Sequence, residues 1–169
     1  FIGIGGIGIS GLAQYMHYKG HEVSGSDISD SVITKKLRDL GIKVTVPHDA
    51  SAITDQDLVV HSAIISPDNP EVVEANAKGI EVLARREALL QILDTSKVYS
   101  VAGAHGKSTT TAILTAIMSG SAIIGAESKA FGSNVRYNPE TDIMLFEADE
   151  SDGSFINSNP HCALVINAE

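Results

Sequence analysis

The sequence predicts an α/β protein built on parallel sheets, in two consecutive parts. Three observations carry this. Short β-type apolar runs alternate with helical patterns over the first 95 residues. The chain opens on a glycine-rich turn, Gly3-Ile4-Gly5-Gly6-Ile7-Gly8-Ile9-Ser10-Gly11, between an apolar run and a helical pattern. A second turn of a different kind, Gly103-Ala104-His105-Gly106-Lys107-Ser108-Thr109, stands in the same strand-to-helix context about a hundred residues on.

Residues 1–4, 22–24, 44–46, 58–61 and 81–83 read as strands, and 9–18, 32–40, 70–78 and 85–93 as the helices between them. Gly20, Gly41 and Gly79 stand where helix C-termini should fall. The polar stretch Asp94-Thr95-Ser96 marks a boundary, giving one domain over 1–95 and a second over 96–169. In the second, 98–101 is a strand feeding the second turn, 107–118 a helix, and 143–146 and 163–166 strands. Residues 120–139 read as mostly loop.

Composition narrows the function. Apolar content of 43% and charged content of 20% are those of a globular protein. A net charge of −9 argues against a nucleic-acid partner, which needs a basic surface. No apolar run is long enough to span a membrane, and the start lacks the features of a signal peptide, so the expected location is the cytoplasm. The single cysteine, Cys162, excludes an internal disulfide; its apolar surroundings predict a buried strand and a core thiol. Phe1 enters midway through a predicted strand and Glu169 follows one, so both ends read as cut from a longer chain.

Glycine in the first turn lets backbone N–H groups approach a phosphate at a helix N-terminus. Asp27 closes the second strand about twenty residues on, where an acid reaches a ribose. The pattern is a Rossmann fingerprint in its proper context, and NAD, FAD and nucleotide sugars all suit it. In the second turn, the P-loop pattern G-x-x-x-x-G-K-[ST] is met except that Val101 holds the first glycine's place. Lys107 is placed for β/γ-phosphate charge, and the Ser108 hydroxyl for Mg²⁺. The run Glu147-Ala148-Asp149-Glu150-Ser151-Asp152 follows an apolar strand; on its own it reads as a solvated acidic loop, but beside the lysine loop the metal-binding reading comes ahead. Strand alternation puts Glu147 and Asp149 on one face.

Taken together, these segments resemble the bacterial Mur ligases. The resemblance rests on both glycine turns, Ser24-Gly25-Ser26-Asp27, Asn69-Pro70-Glu71, and the run from Glu147 to Asp152 with Ser154-Phe155, in that order. It implies a Rossmann-like UDP-sugar domain followed by the start of a P-loop ATPase domain. The family branch most similar joins L-alanine to UDP-N-acetylmuramate in peptidoglycan precursor synthesis. By that match Gly5, Gly6, Ile7 and Gly8 hold a diphosphate, and Asp27, His48, Ser62 and Arg85 line the UDP-sugar site. Ala104, His105, Gly106, Lys107, Ser108 and Thr109 take ATP, with Lys107 and His105 catalytic and Ser108 and Glu147 as Mg²⁺ ligands. Ala102 and Ala104 replace threonines common in the family loop. Asn167-Ala168-Glu169 resembles the start of a further family motif, and a third domain lies outside this sequence. A murein peptide ligase, an NAD-dependent oxidoreductase domain and a regulatory nucleotide-binding module remain alternatives.

Overall fold

The computed structural model describes residues 1–129, 131–148 and 158–167. The chain forms two compact units, Phe1–Ala88 and Leu89–Glu169.

The first unit is a run of βα elements. Helix α1 (Ile7–Tyr18) follows the glycine turn and buries Ile9, Leu12 and Ala13, the three- and four-residue spacing of one helical face. Strand β1 (Ser24–Ser26) leads to α2 (Val32–Asp39). A reciprocal cap starts α2: Thr34 N–H donates to Ser31 Oγ (3.1 Å), and Ser31 N–H donates to Thr34 Oγ1 (2.8 Å). Then come β2 (Lys43–Thr45), β3 (Leu58–His61), α3 (Pro70–Ala77) and β4 (Glu81–Ala84), and α4 (Arg85–Asp94) begins in the first unit and ends in the second. Gly20, Gly41 and Gly79 all fall just past helix ends with positive φ, as their positions predicted.

Strand β1 pairs in parallel with β2, and β3 with β4. Ile2 stands between the two pairs, bridging in parallel to Ser26 and to His61. The strand expected over 1–4 is therefore reduced to one bridging residue. The cause is Gly3, whose φ of 77° turns the chain at once. A strand would put Ile2 and Ile4 on one face. Instead Ile2 packs with Ile53, Val59, Val72 and Ala75, whereas Ile4 packs with Ala13, Val23, Leu37 and Ile42.

The second unit holds a five-stranded sheet in the order β7-β6-β8-β5-β9. Its members are β5 (Lys97–Ala102), β6 (Ser121–Ser128), β7 (Ser133–Arg136), β8 (Ile143–Glu147) and β9 (Cys162–Val165). All pairings are parallel except β6 with β7. Helix α5 (Lys107–Met118) occupies the residues predicted for it.

Two expectations fail here. Residues 120–139 contain β6 and β7 and are not mostly loop. Cys162 is exposed, as is the whole of β9, because among the described residues that strand lies at the sheet edge and pairs only with β5. An apolar run reports strand propensity but does not distinguish an edge from a centre.

Leu145 of β8 is fully buried against Ala122 and Ile124, with Tyr99, Leu114 and Met118 around it. Leu145→Ala should weaken the second unit by about 2–5 kcal/mol. Leu164→Ala on exposed β9 should cost well under about 1 kcal/mol. Urea unfolding followed by hydrogen exchange in each unit checks both.

Candidate functional site

Each unit builds one strand–glycine loop–helix junction, and each is described separately. In the first unit, Gly3 N–H and Ile4 N–H both donate to Ser26 O (2.9 Å each), which fixes the loop beside the end of β1. Gly5 N–H donates to Asp27 Oδ2 (2.8 Å), and Ile28 N–H to Asp27 Oδ1 (2.8 Å). A side chain at position 5 would place its Cβ 2.8 Å from Asp27 Oδ2, and one at position 8 would place it 2.7 Å from Arg85 Nε. A larger residue at either place would have to displace the Asp27 carboxylate or the Arg85 guanidinium, which already fill that space. Ser62 lies beside Gly3, its Cβ 3.1 Å from where a Gly3 side chain would begin. Gly6 caps α1 and supplies no side chain, so the helix N-terminus faces outward past Ile7 and Gly8.

His48 joins this group through Ser26. Its Nδ1 lies 2.9 Å from Ser26 Oγ and 3.0 Å from Glu71 Oε2. Ser26 Oγ donates to Glu71 Oε2 (2.5 Å), and Asp49 N–H donates to Glu71 Oε1 (3.2 Å). Thus Gly5, Gly8, Asp27, Ser62 and Arg85 gather at the strand ends, and His48 stands one residue's contact away. Ser26 and Glu71 complete the set; the sequence offered Glu71 only as part of an Asn-Pro-Glu segment without a role.

In the second unit, β5 ends at Ala102 and α5 begins at Lys107. The four residues between turn on Gly103 (φ 147°) and Gly106 (φ 85°), in the region that only glycine adopts without strain. No side chain caps α5, so the helix presents its N-terminal amides past Ser108 and Thr109. Lys107 Nζ donates to Gly103 O (2.8 Å), which holds the ammonium across its own loop. Asn167, just after β9, grips the loop backbone from both sides. His105 N–H donates to Asn167 Oδ1 (3.2 Å), and Asn167 Nδ2 donates to His105 O (3.1 Å). The His105 and Ala104 side chains are exposed.

Glu147 ends β8 directly opposite Val101 of β5, the strand that feeds the loop. Its carboxylate is buried. Oε2 accepts from Gly125 N–H (2.7 Å), and Oε1 is buried with no hydrogen bond to any described residue. An orphaned buried carboxylate oxygen is costly unless a cation or donor meets it. Among the described residues no three His, Cys, Asp or Glu side chains gather as a metal site. A cation here would therefore take Glu147, a hydroxyl such as Ser108, and oxygens from phosphate and water, which is the habit of Mg²⁺. Asp149, Glu150 and Asp152 lie outside the described residues. A groove of about 540 Å³ runs from Ser108 and Thr109 along α5 to β6, but its walls are apolar and unsuited to phosphate. No helix among the described residues is long and apolar enough to cross a membrane.

With this geometry in place, comparison with known proteins is informative. The model of a family described as Mur ligase family, catalytic domain, matches residues 1–97. The chain is 56% identical over its whole length to a UDP-N-acetylmuramate–L-alanine ligase of Campylobacter curvus, covering 39% of that protein. It is 54% identical to the Helicobacter pylori ligase of the same name, covering 38% of it. The crystal structure of UDP-N-acetylmuramate-alanine ligase from Thermotoga maritima superposes with a TM-score of 0.89 at 31% identity, over 100% of this chain and 41% of that one. A Neisseria UDP-N-acetylmuramate:L-alanyl-gamma-D-glutamyl-meso-diaminopimelate ligase gives 0.86 at 28% identity, over 99% of this chain and 59% of the other. The chain thus spans about two fifths of the length of the curated relatives it matches.

The grip of Asn167 on the loop has a direct readout. Asn167→Ala should speed amide hydrogen exchange at residues 103–106 and leave residues 1–88 unchanged, as measured by exchange mass spectrometry of the chain.

Proposed function

The chain belongs to the Mur ligase family, and on that premise we propose that it supplies the UDP-sugar and ATP sites of an enzyme that joins L-alanine to UDP-N-acetylmuramate. The observation that carries the ATP half is Glu147: a buried carboxylate with one oxygen unmatched, on the strand beside the one that ends in a Gly-Lys-Ser loop. Identity of 54–56% across the whole chain with ligases of that name supports the substrates. The domains we assign are 1–95 for the UDP-sugar and 96–169 for part of the ATP domain.

In the proposed reaction the muramoyl carboxylate oxygen attacks the γ-phosphorus of ATP. The bond to the β,γ-bridging oxygen breaks, ADP leaves, and an acyl phosphate forms. The amine of L-alanine then attacks the acyl carbon, inorganic phosphate departs, and the ammonium sheds its proton. Two anions meet in the first step, so the site must offset their repulsion. Lys107 releases Gly103 O and turns its ammonium to the β/γ-phosphates. The loop amides and the N-terminus of α5 add fixed positive dipoles. Ser108 Oγ and Glu147 would hold Mg²⁺, which supplies charge neutralisation when bound. The exposed His105 ring stands on the same loop, within the region where the carboxylate would react. Gly5, Gly6, Ile7 and Gly8 receive the diphosphate of the UDP-sugar, with Arg85 beside Gly8 as the cationic partner. Asp27, His48 and Ser62 line the rest.

A murein peptide ligase would share both sites and differ in what it attaches. An NAD-dependent oxidoreductase would use the first loop and leave the second, with Glu147, without a task.

Calorimetry decides the first point: UDP-N-acetylmuramate should bind, and NAD should bind more weakly; the reverse order would sink the reading. In the full-length enzyme, Lys107→Ala should lower kcat by more than about tenfold, a loss above about 1.4 kcal/mol, with UDP-sugar affinity nearly unchanged. Glu147→Gln should raise the Mg²⁺ concentration needed for half-maximal rate, seen in metal titrations of the steady-state velocity.

A further inference from the structure

We infer that Glu71 is a positioning residue for the UDP-sugar site: it holds His48 as the Nδ1–H tautomer, so that Nε2 meets the ligand as a hydrogen-bond acceptor. The inference rests on the UDP-sugar reading above and adds to it the chemistry of one contact. The group that His48 receives is a neutral O–H or N–H donor of the nucleoside or sugar, not a phosphate oxygen.

Glu71 is 1% exposed, in the first turn of α3. A carboxylate survives there only if its oxygens are met. The helix N-terminus favours negative charge at this position, and Asn69 Oδ1 caps the Glu71 N–H (2.9 Å). Oε1 takes the Asp49 amide, and Oε2 takes both Ser26 Oγ and His48 Nδ1.

The triangle of Ser26 Oγ, Glu71 Oε2 and His48 Nδ1 has three close edges, of 2.5, 2.9 and 3.0 Å. A carboxylate brings no proton. The serine brings one, and it is committed to Oε2. The third edge then needs a proton on Nδ1; without one, the lone pairs of Nδ1 and Oε2 would face each other at 3.0 Å. With it, Nδ1–H donates to Oε2, leans on Oγ, and all three groups are satisfied. A neutral imidazole has one N–H, so Nε2 carries a lone pair. Nε2 lies on the opposite ring edge and makes no hydrogen bond to any described residue, and the side chain remains 14% exposed. The network adjoins the glycine loop, because the same Ser26 accepts Gly3 N–H and Ile4 N–H through its carbonyl.

The experiment uses the full-length protein with ¹⁵N-labelled histidine. With the imidazole neutral, wild-type His48 should show a protonated Nδ1 and a bare Nε2, and binding of UDP-N-acetylmuramate should shift Nε2. Glu71→Gln and Ser26→Ala should raise KM for the UDP-sugar, Glu71→Gln by about tenfold. The kcat and the KM for ATP should stay within about twofold, since these belong to other contacts. Glu71→Gln should add no further loss in a His48→Ala background, because its effect passes through the ring. A wild-type His48 with Nε2–H overturns the inference, even if Glu71→Gln fails to fold. So does a Glu71→Gln penalty that persists undiminished without His48. If the wild type does not bind UDP-N-acetylmuramate at all, the proposed function fails instead, and the tautomer spectrum alone decides whether Glu71 orients His48.

Discussion

Both glycine loops depend on a side-chain hydrogen bond to a loop amide to hold their turn. Each is held by a polar side chain from elsewhere in its own unit. Asp27 takes Gly5 N–H in the first, and Asn167 takes His105 N–H and gives a proton to its carbonyl in the second. The means differ in charge. A carboxylate near an anion's seat costs affinity by repulsion unless it meets a hydroxyl of the ligand, as a ribose would provide. An amide is neutral and can grip the backbone without adding charge beside it. The charged clamp suits the loop without lysine, and the neutral clamp suits the loop with it.

Two buried carboxylates differ in how far their oxygens are met by the protein. Glu71 has partners on both oxygens and lies at a helix N-terminus, so it is complete without a ligand. Glu147 has Gly125 N–H on one oxygen and, among the described residues, nothing on the other. The strain of an unmet buried acceptor, of order 1–3 kcal/mol, is released only when something arrives. Gly125 is part of the same device, since a Cβ there would lie 2.7 Å from Glu147 Oε2 and push the carboxylate away.

The elements most legible in the sequence are those with a single strong signal. Lys107–Met118 follows a Gly-Lys-Ser loop and needs no tertiary context to be read. Strand β6 escaped because its first four residues are all buried, which removes alternation, and because its register with β7 shifts between Ile123 and Ser128. In the site, Gly5, Gly8, Asp27 and Lys107 carry local patterns. Ser26, His48 and Glu71 do not: they meet across separations of 22 to 45 residues, and no spacing rule links a strand-end serine to a helix-start glutamate. Asn167 was visible only as part of a resemblance, and its grip on the loop is a product of the parallel pairing of β9 with β5.

That pairing has a consequence in time. The Asp27 clamp spans 22 residues, and the Asn167 clamp spans 62. For a flexible chain, closing the longer loop costs about 0.9 kcal/mol more in entropy. During synthesis the first loop can acquire its clamp once the 22 residues that follow it have been made. The lysine loop waits until β9 has been made and has found β5. Throughout that interval it is an unclamped turn at the head of a helix. Nascent chains should therefore clamp the first glycine loop well before the second, an ordering written into the sheet topology and not into the strength of either loop.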